Sequence, residues 1–380
     1  MKTLSWLWLN LSLTLLRVLP FPCRTGLVRV GNPGPSSPVL LTGNYRLTVA
    51  RVLRALAGLD VWLLVANSRG INVWCAASGG HLGNHDVISV LRTSGIEKRV
   101  GHRDLVLPQL AATGIEERVI RERTGWQVHW GPVEARDVPA YLESGMQATP
   151  AMRRVTFPWP RRLEMALAWA FPISQLAWLL WPLWREAVLP LMAVVWGLAL
   201  ALFLGFPLYR RLLRPHPTVG LILFDFGPGA VLLLLWAATL LLLCLHGLHT
   251  GELSWGYFGR WALATLILLL ILGLDLTGST PTYKSGLHPE RHLRITLDAE
   301  RCRGAGRCEE VCPEGVFTVD RQRHLATLPG IDRCVQCGAC IVQCPCDALS
   351  FQGPDGTFVP PETVRRFKLN LLGKRMVRRD

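Results

Sequence analysis

The most regular feature of the sequence is a long apolar region over residues 163–276, which short polar stretches interrupt. A helix that crosses the bilayer core needs about 20 apolar residues. Four segments of this length fit the region: 163–184, 187–209, 219–245 and 257–276. Only the tripeptide REA separates the first two, so one long re-entrant or kinked hairpin is an alternative there. The pattern predicts a four-helix transmembrane bundle over residues 161–278.

Residues 27–141 follow a different pattern, in which short apolar runs alternate with helical periodicity. The segments SPVLLTGNY, DVWLLVANS, KRVGHRDLVLPQ and WQVHWGPV are typical of strands. Helices are predicted for RLTVARVLRALAG, which Gly58 closes, and for NHDVISVLRTSG, with Asn84 as cap and Gly95 as terminator. The alternation predicts an α/β Rossmann-like domain with a mainly parallel sheet over residues 27–160. Ligands of such sheets bind beyond the carboxyl ends of strands, where the loop NSRGINVWCAA lies.

The charge of the chain fits a membrane protein better than a nucleic-acid-binding protein. A formal charge of +14 is common among proteins that bind nucleic acid. However, half of the residues of this chain are hydrophobic and 15 are Trp. Basic residues flank the predicted bundle, namely Arg161, Arg162, Arg210, Arg211, Arg214, Lys284 and Arg291. The connection HGLHTGELSWG contains no Lys or Arg. We therefore expect both ends of the bundle to face the cytoplasm of an inner membrane, with lipid and not nucleic acid as the partner.

The first 26 residues begin with MKTLSWLWLNLSLTLLRVLPFP, in which Lys2 precedes an apolar run. A signal peptide has this layout. However, Arg17 interrupts the run and no small-residue cleavage site follows it. An N-terminal helix lying in the membrane interface is the better interpretation.

Asp225, in the stretch LFDFGPG near the start of the third span, is a carboxylate within an apolar region. Such residues are candidates for a functional role. The adjoining Gly-Pro-Gly favours a plainer interpretation, in which a broken helix end leaves the carboxylate solvated near the interface.

Eight of the eleven cysteines lie between Cys302 and Cys346. The second block, CVQCGACIVQCP, has the spacing Cys-x2-Cys-x2-Cys-x3-Cys-Pro of a bacterial ferredoxin, which a zinc site matches poorly. It predicts an α+β two-cluster ferredoxin domain over residues 296–355, after a linker at 279–295. Thiol ligands of this kind belong in a reducing compartment. Residues 356–380 are read as a basic, solvated or lipid-facing tail.

The fourth cysteine of each run binds the other cluster in two-cluster ferredoxins. One predicted [4Fe–4S] cluster therefore has the ligands Cys334, Cys337, Cys340 and Cys312. The second cluster has Cys302, Cys308 and Cys344, and Ala305 stands where a fourth cysteine belongs. This gap predicts either a [3Fe–4S] cluster or a [4Fe–4S] cluster with a non-cysteine ligand. Cys346 is either a substitute ligand or, as we favour from sequence, a packing thiol.

Cys75 stands alone in the stretch GINVWCAASGG, far from the other cysteines. An isolated cysteine is most often a buried structural thiol. Near the start of a helical turn, however, the helix dipole favours the thiolate. The small residues that follow it leave room for a large flat group. The residues by themselves suggest a metal or a planar cofactor without naming it.

GINVWCAASGG resembles the cap-helix signature N-[V/I]-W-C-A-[A/G]-G-K of the corrinoid protein of mercury methylation (HgcA-type). The similarity continues through VLLTGNYRLT, HRDLVLPQLAATGI, RTGWQVHWGPVEARDVPAYLESGM, ATPAMRRVTFP and LTGSTPTYKSGL, and so covers most of residues 27–290. The ferredoxin end resembles that protein's partner (HgcB-type), which is normally a separate chain. The sequence thus resembles a fusion of the two.

The resemblance implies a corrinoid (cobalamin-type) in the 27–160 domain, with Cys75 as the lower axial ligand to cobalt and as the catalytic residue. The other implied cofactor-binding residues are Thr42, Asn44, Asn72, Val73, Trp74, Ala76 and Ala77. A thiolate ligand favours transfer of the methyl group as an anion or radical, after which cobalt must return to Co(I). The ferredoxin would deliver those electrons, drawn from a low-potential donor. The methyl group would come from a folate-dependent methyltransferase.

Departures from the family patterns leave the acceptor open. The closing Gly-Lys of the signature is Ser78-Gly79 here, and the tail KLNLLGKRMVRRD lacks the cysteine pair of the partner family. The sequence therefore favours a membrane-anchored corrinoid-dependent methyltransferase that acts on Hg(II) or another soft acceptor. Alternatives are a corrinoid methyl carrier in one-carbon metabolism and a membrane iron–sulfur electron carrier without corrinoid.

Overall fold

The chain folds into two compact units, each built from two separate stretches of sequence. A computed structural model describes residues 3–212, 226–273, 276, 280–282, 292–370 and 373–376. The first unit, here the helical unit, comprises Met1–Val18 and Phe157–His292. The second, here the sheet unit, comprises Leu19–Thr156 and Leu293–Asp380. Arg214, Asp225, Lys284 and Arg291 lie outside the described residues.

The described elements, in chain order, are fourteen α-helices and twelve strands. The helices are α1 (Thr3–Leu15), α2 (Arg46–Ala55), α3 (Val73–Ser78), α4 (Asn84–Thr93), α5 (Glu117–Thr124), α6 (Val138–Glu143), α7 (Pro150–Arg153), α8 (Trp159–Leu176), α9 (Val188–Tyr209), α10 (Phe226–Thr250), α11 (Trp255–Gly273), α12 (Arg307–Val311), α13 (Ala339–Gln343) and α14 (Pro361–Arg366). The strands are β1 (Gly26–Val30), β2 (Val39–Gly43), β3 (Val61–Ala66), β4 (Asp104–Pro108), β5 (Gln127–Gly131), β6 (Arg294–Leu297), β7 (Thr318–Asp320), β8 (Leu325–Thr327), β9 (Leu349–Gln352), β10 (Phe358–Val359), β11 (Phe367–Asn370) and β12 (Gly373–Met376).

The helical unit contains the four long apolar helices that the sequence predicts. They are α8 with the 3₁₀ turn after it, α9, α10 and α11, and each is long and apolar enough to cross a membrane. The first pair forms two separate helices that pack on each other, because the chain turns between Trp181 and Ala187. Helix α8 begins at Trp159, four residues before the predicted start, and α10 continues to Thr250, beyond the predicted end at 245. The predicted residues 219–225 of the third span lie outside the described part of the chain.

Tryptophans mark the turns that join the long helices in pairs. Trp184, just before α9, packs on Trp261 of α11, with ring centroids 5.5 Å apart. The guanidinium of Arg260 lies 5.0 Å from the centroid of the Trp184 ring, and that of Arg185 lies 4.7 Å from Trp181. Because indole rings favour the headgroup level of a bilayer, this aromatic end is typical of a membrane interface.

The N-terminal part of the sheet unit is the predicted α/β domain. Its sheet has the strand order β1-β3-β2-β4-β5, in which β2, β3, β4 and β5 are parallel and β1 is an antiparallel edge strand. The parallel strands follow the flavodoxin-like doubly wound order, whose switch point lies between β2 and β4. Alternate residues of β2 and β3 enter two separate apolar cores, so both faces of the sheet are covered.

Two local features of this domain differ from the sequence prediction. Strand β1 was not predicted, and it lies on the edge of the sheet beside β3. Asn84 is the first residue of α4 and not its cap. Gly83 occupies the cap position, and its backbone N–H donates to the Asp86 side chain at 2.9 Å. The buried Asn84 side chain instead accepts a hydrogen bond from the backbone N–H of Glu116 at 2.7 Å. It thereby links the start of α4 to the start of α5.

The C-terminal part of the sheet unit is the predicted α+β ferredoxin-type domain. An antiparallel sheet of order β10-β9-β6 and the hairpin β7–β8 surround the paired short helices α12 and α13. Most of the cysteines of this domain belong to its apolar core. Residues 361–370 and 373–376, which the sequence predicts to be part of a basic tail, form α14 and the paired strands β11 and β12, and β11 contacts α3.

Candidate functional site

Cys75 lies on α3, the short helix that follows β3 at the carboxyl edge of the sheet. The Asn72 side chain caps this helix, because its Oδ1 accepts the backbone N–H of Cys75 at 3.0 Å. Val73, Ala76 and Ala77 are buried against the domain, whereas Trp74 and Cys75 are partly exposed. The helix therefore buries Val73, Ala76 and Ala77 against the domain and leaves Trp74 and Cys75 partly exposed.

Asn44 holds the loop that leads into α3. It is 4% exposed, and its Oδ1 accepts hydrogen bonds from the backbone N–H groups of Ser68 and Gly70 at 2.9 and 3.0 Å. The Ser68 hydroxyl also donates to this oxygen, while Nδ2 of Asn44 donates to the Cys23 carbonyl. The amide of Asn44 is thus engaged by the chain itself, and the structure places it behind the Cys75 loop. Thr42, two residues earlier, is buried on β2.

The opposite side of α3 rests on the segment after β4. This segment starts with the 3₁₀ turn Gln109–Ala111 and continues through Gly114 to the start of α5. A Cβ atom on Gly114 would lie 2.7 Å from the Ala77 carbonyl oxygen and 2.9 Å from its Cα, so only glycine permits this approach. We call residues 109–117 the bridging segment, because they contact both α3 and the ferredoxin-type domain.

Gln343 attaches the C-terminal domain to the bridging segment. This residue ends α13, between Cys340 and Cys344, and is 6% exposed. Its Nε2 donates to the carbonyls of Ala112 and Ile115 at 2.7 and 2.5 Å, and its Oε1 accepts the backbone N–H of Glu117 at 3.2 Å. All the hydrogen-bonding groups of this side chain are therefore used in one interdomain contact.

An ion pair and an apolar contact complete this interface. Arg307 of α12 donates to Glu117 at 2.8 Å and to Glu310 at 2.5 Å. Burial raises the pKa of Glu117, since the loss of water outweighs the attraction of Arg307. Val311 and Ala339 are buried in the same apolar core as the bridging segment, and Cys337 packs against it. The cysteine loop around Cys337 is thus one of the parts of the ferredoxin-type domain that adjoin the α/β domain.

The structure places the seven predicted cluster ligands close to one another. Burial raises the pKa of Cys308 to about 12, and the thiols of Cys344 and Cys302 contribute. Burial also raises the pKa of Cys340, with contributions from Cys337, Cys312, Cys334 and Cys308. Cys308 thus lies near thiols of both predicted groups. The division of the ligands between the two clusters stays a prediction from the cysteine spacing.

The chemistry of these two groups suits iron–sulfur clusters. A buried thiol resists ionisation until a metal replaces its proton, and soft thiolates are the ligands that such clusters take. Backbone N–H groups already point at three of the sulfurs: Val316 to Cys312, Ala326 to Cys302 and Ala348 to Cys344. No three His, Cys, Asp or Glu side chains converge on one metal ion among the described residues. A cubane cluster does not require this, because each of its thiolates binds a different iron.

Comparison with known proteins supports the division of the sheet unit into two parts. Residues 17–142 match the family model of the CO dehydrogenase/acetyl-CoA synthase delta subunit. Residues 294–345 match the model of the 4Fe-4S dicluster domain. Each model covers less than half of the chain.

The first part also has relatives among characterised proteins. Subunit gamma of the acetyl-CoA decarbonylase/synthase complex from Archaeoglobus fulgidus is 36% identical over 126 residues, which is 33% of this chain and 26% of that protein. The corresponding subunit from Methanopyrus kandleri is also 36% identical, over 33% of this chain and 27% of its own length. The chain thus spans about a quarter of these relatives. It combines a region similar to these gamma subunits with a region that matches the 4Fe-4S dicluster domain.

Proposed function

We propose that this chain is a membrane-anchored, corrinoid-dependent methyltransferase whose fused ferredoxin domain re-reduces the cobalt. The observation that carries the proposal is the bridging segment, which supports the Cys75 helix on one side and binds Gln343 on the other. Gln343 lies between two predicted cluster ligands, so the electron carrier and the cofactor helix share one support. The resemblance of GINVWCAASGG to the corrinoid cap-helix signature supports the cofactor class, and the similarity to gamma subunits covers the same domain.

The residues around Cys75 suit a corrinoid held by a thiolate. A bound corrinoid would supply a cobalt centre that accepts and donates a methyl group. Asn72 fixes the backbone N–H of Cys75, and the buried Ala76 and Ala77 hold the helix against the domain. Trp74 and the Cys75 thiol remain partly exposed, as contact with a large planar ligand requires. Asn44 holds the loop before α3 through Ser68 and Gly70. Thr42 lies near the carboxyl end of β2, two residues before Asn44.

The fused domain would act as the source of electrons for this cofactor. A carrier tethered to its acceptor has a high effective concentration without any need for a strong interface. Here the interface also exists, through Gln343 and the Arg307–Glu117 ion pair. The cluster near Cys337 would be the electron donor to the cofactor. A low-potential reductant would recharge the clusters, and a folate-dependent methyltransferase would provide the methyl group.

Two acceptor classes follow from two different similarities. The resemblance of GINVWCAASGG to the mercury-methylation signature favours Hg(II) or another soft acceptor. The identity to gamma subunits of acetyl-CoA decarbonylase/synthase complexes favours a methyl carrier in one-carbon metabolism. Methyl transfer from the methylated protein to Hg(II) tests the first class, and absence of transfer from a protein with intact corrinoid would favour the second.

The cofactor assignment is tested by the visible spectrum of the full chain after reconstitution with a corrinoid. We expect the wild-type protein to bind base-off corrinoid with cobalt–thiolate absorption, and the Cys75→Ala variant to lose that absorption. The Cys23→Ala variant is the control, because Cys23 is also a half-buried thiol of the sheet unit. If neither the wild-type protein nor the Cys75→Ala variant binds corrinoid while the clusters are intact, the chain is a membrane iron–sulfur carrier and the proposal fails.

A further inference from the structure

The two cysteine blocks are related by a constant offset of 32 residues. By this offset Cys302, Ala305, Cys308 and Cys312 correspond to Cys334, Cys337, Cys340 and Cys344. The backbone repeats as well, because the positive φ angles of Gly304, Gly306 and Gly315 (64°, 77° and 59°) recur at Gln336, Gly338 and Asp347 (48°, 76° and 53°). The loop around Ala305 therefore has the conformation of a cluster-binding loop, although the cysteine of that position is missing.

The thiol of Cys346 borders the same cavity as the loop around Ala305. This cavity beside Ala305 is lined by the three cysteines of the incomplete group, Cys302, Cys308 and Cys344, and also by Cys346. The sulfurs of Cys344 and Cys346 are 3.8 Å apart. A disulfide has its sulfurs about 2.05 Å apart, so these are two separate thiols. Four cysteines thus line this cavity. The other predicted cluster of the domain also has four cysteine ligands.

The backbone on both sides of Cys346 is fixed by Arg365. This arginine is 4% exposed, and its guanidinium donates to the Cys344 carbonyl at 3.0 Å and to the Asp347 carboxylate. Because Cys344, two residues before Cys346, and Asp347, the residue after it, are both held by this buried side chain, the position of the Cys346 Cα next to the cavity is set by the fold. The side chain needs only a rotation about its own bonds to change the direction of its sulfur.

We propose that Cys346 is the fourth ligand of the incomplete group, so that both clusters of this chain are [4Fe–4S]. The thiol of Cys346 would release its proton to solvent, and the thiolate sulfur would bind the iron that Cys302, Cys308 and Cys344 leave without a protein ligand. In this assignment the cysteine ligand missing at position 305 is supplied by Cys346, and the cluster keeps its fourth iron. The sequence interpretation of Cys346 as a packing thiol is replaced by this assignment. The inference rests on the dicluster domain alone and is independent of the corrinoid.

The test is the cluster composition of the full chain, purified in detergent without oxygen. Two [4Fe–4S] clusters contain roughly eight iron atoms in total, with each cluster held by four ligands. We expect this content in the wild-type protein, and no electron paramagnetic resonance signal of a three-iron cluster after mild oxidation. In the Cys346→Ala variant we expect about one iron fewer and a strong three-iron signal.

Two further variants make the result specific. Cys244→Ala removes a thiol in α10 and should leave the wild-type composition unchanged. The double variant Ala305→Cys/Cys346→Ala returns a cysteine to the position that corresponds to Cys337, and we expect it to restore the four-iron cluster. A three-iron signal in the oxidised wild-type protein, or an unchanged cluster in Cys346→Ala, would overturn the assignment. Loss of corrinoid binding with normal clusters would overturn the proposed function only.

Discussion

Asn44 shows how one buried side chain can determine the position of a site that it does not form. Its Oδ1 accepts the backbone N–H groups of Ser68 and Gly70, and Gly70 has a φ of 70° with Pro22 directly behind it. The turn into α3 therefore depends on one oxygen atom and one glycine. The sequence shows an asparagine after a predicted strand, but it does not show which N–H groups will donate to that side chain. Asn44 and Ser68 are 24 positions apart, so no local pattern connects them.

We predict that Asn44→Ala loosens this turn. Each buried N–H left without a partner costs about 1–3 kcal/mol. Hydrogen–deuterium exchange of the full chain should therefore show faster exchange over residues 67–75, and corrinoid binding should weaken together with it. Asn67→Ala is the matched control, because Asn67 is exposed and accepts only the N–H of Arg69. Equal exchange rates in Asn44→Ala and wild type would contradict the positioning role.

At the scale of elements, the prediction from sequence succeeded where periodicity and turn residues agree. The strands β2, β3, β4 and β5 and the helices α2 and α4 lie within the segments predicted for them. Strand β1 was missed because its half-exposed edge position does not require an apolar run. The Asn84 cap was wrong because Gly83 and Asp86 fill that role, while a contact with Glu116, far along the chain, uses the asparagine.

Helix α13 has a second role that its cysteine motif does not reveal. In the corresponding helix α12 the residue before the last cysteine is Val311, whereas in α13 it is Gln343. A glutamine where the corresponding helix has a valine is the one feature of the sequence that points to a polar contact here. Its partners are carbonyls of the bridging segment, which no local pattern identifies.

We predict that Gln343→Ala weakens the attachment of the ferredoxin domain without loss of clusters. The carbonyls of Ala112 and Ile115 and the N–H of Glu117 would all lose their partner, at about 1–3 kcal/mol for each buried group. Hydrogen exchange should increase over residues 109–117, and electron transfer from reduced clusters to bound corrinoid should slow down. Gln352→Ala, an exposed change on β9 of the same domain, should have neither effect. A variant with unchanged exchange at 109–117 would exclude Gln343 as the link.

At the scale of the whole molecule, the α/β domain and the ferredoxin-type domain belong to one compact unit although the long apolar helices separate them in sequence. Composition and motifs identify each part, because apolar runs and cysteine spacing are local. The assembly of the parts depends on contacts between residues such as Glu117 and Arg307, which are 190 positions apart. One sequence without relatives aligned to it contains no direct sign of such a pair.

The orientation of the chain in the membrane is the last prediction, and it depends on the distribution of basic residues. Arg161 and Arg162 lie at the start of α8, and Arg210 and Arg211 follow α9. The turn between α10 and α11 has no Lys or Arg, and the turn between α8 and α9 has a single one, Arg185. By the positive-inside rule this turn and the Trp-rich turn between α8 and α9 face away from the cytoplasm, and the sheet unit faces the cytoplasm. Reporter insertion tests this: alkaline phosphatase inserted after Glu252 should be active, and inserted after Asp355 it should be inactive. A green fluorescent protein at the same two sites should show the opposite pattern. If phosphatase were active at Asp355, the thiols of the ferredoxin domain would face an oxidising compartment, and the reducing environment that its clusters require would be lost.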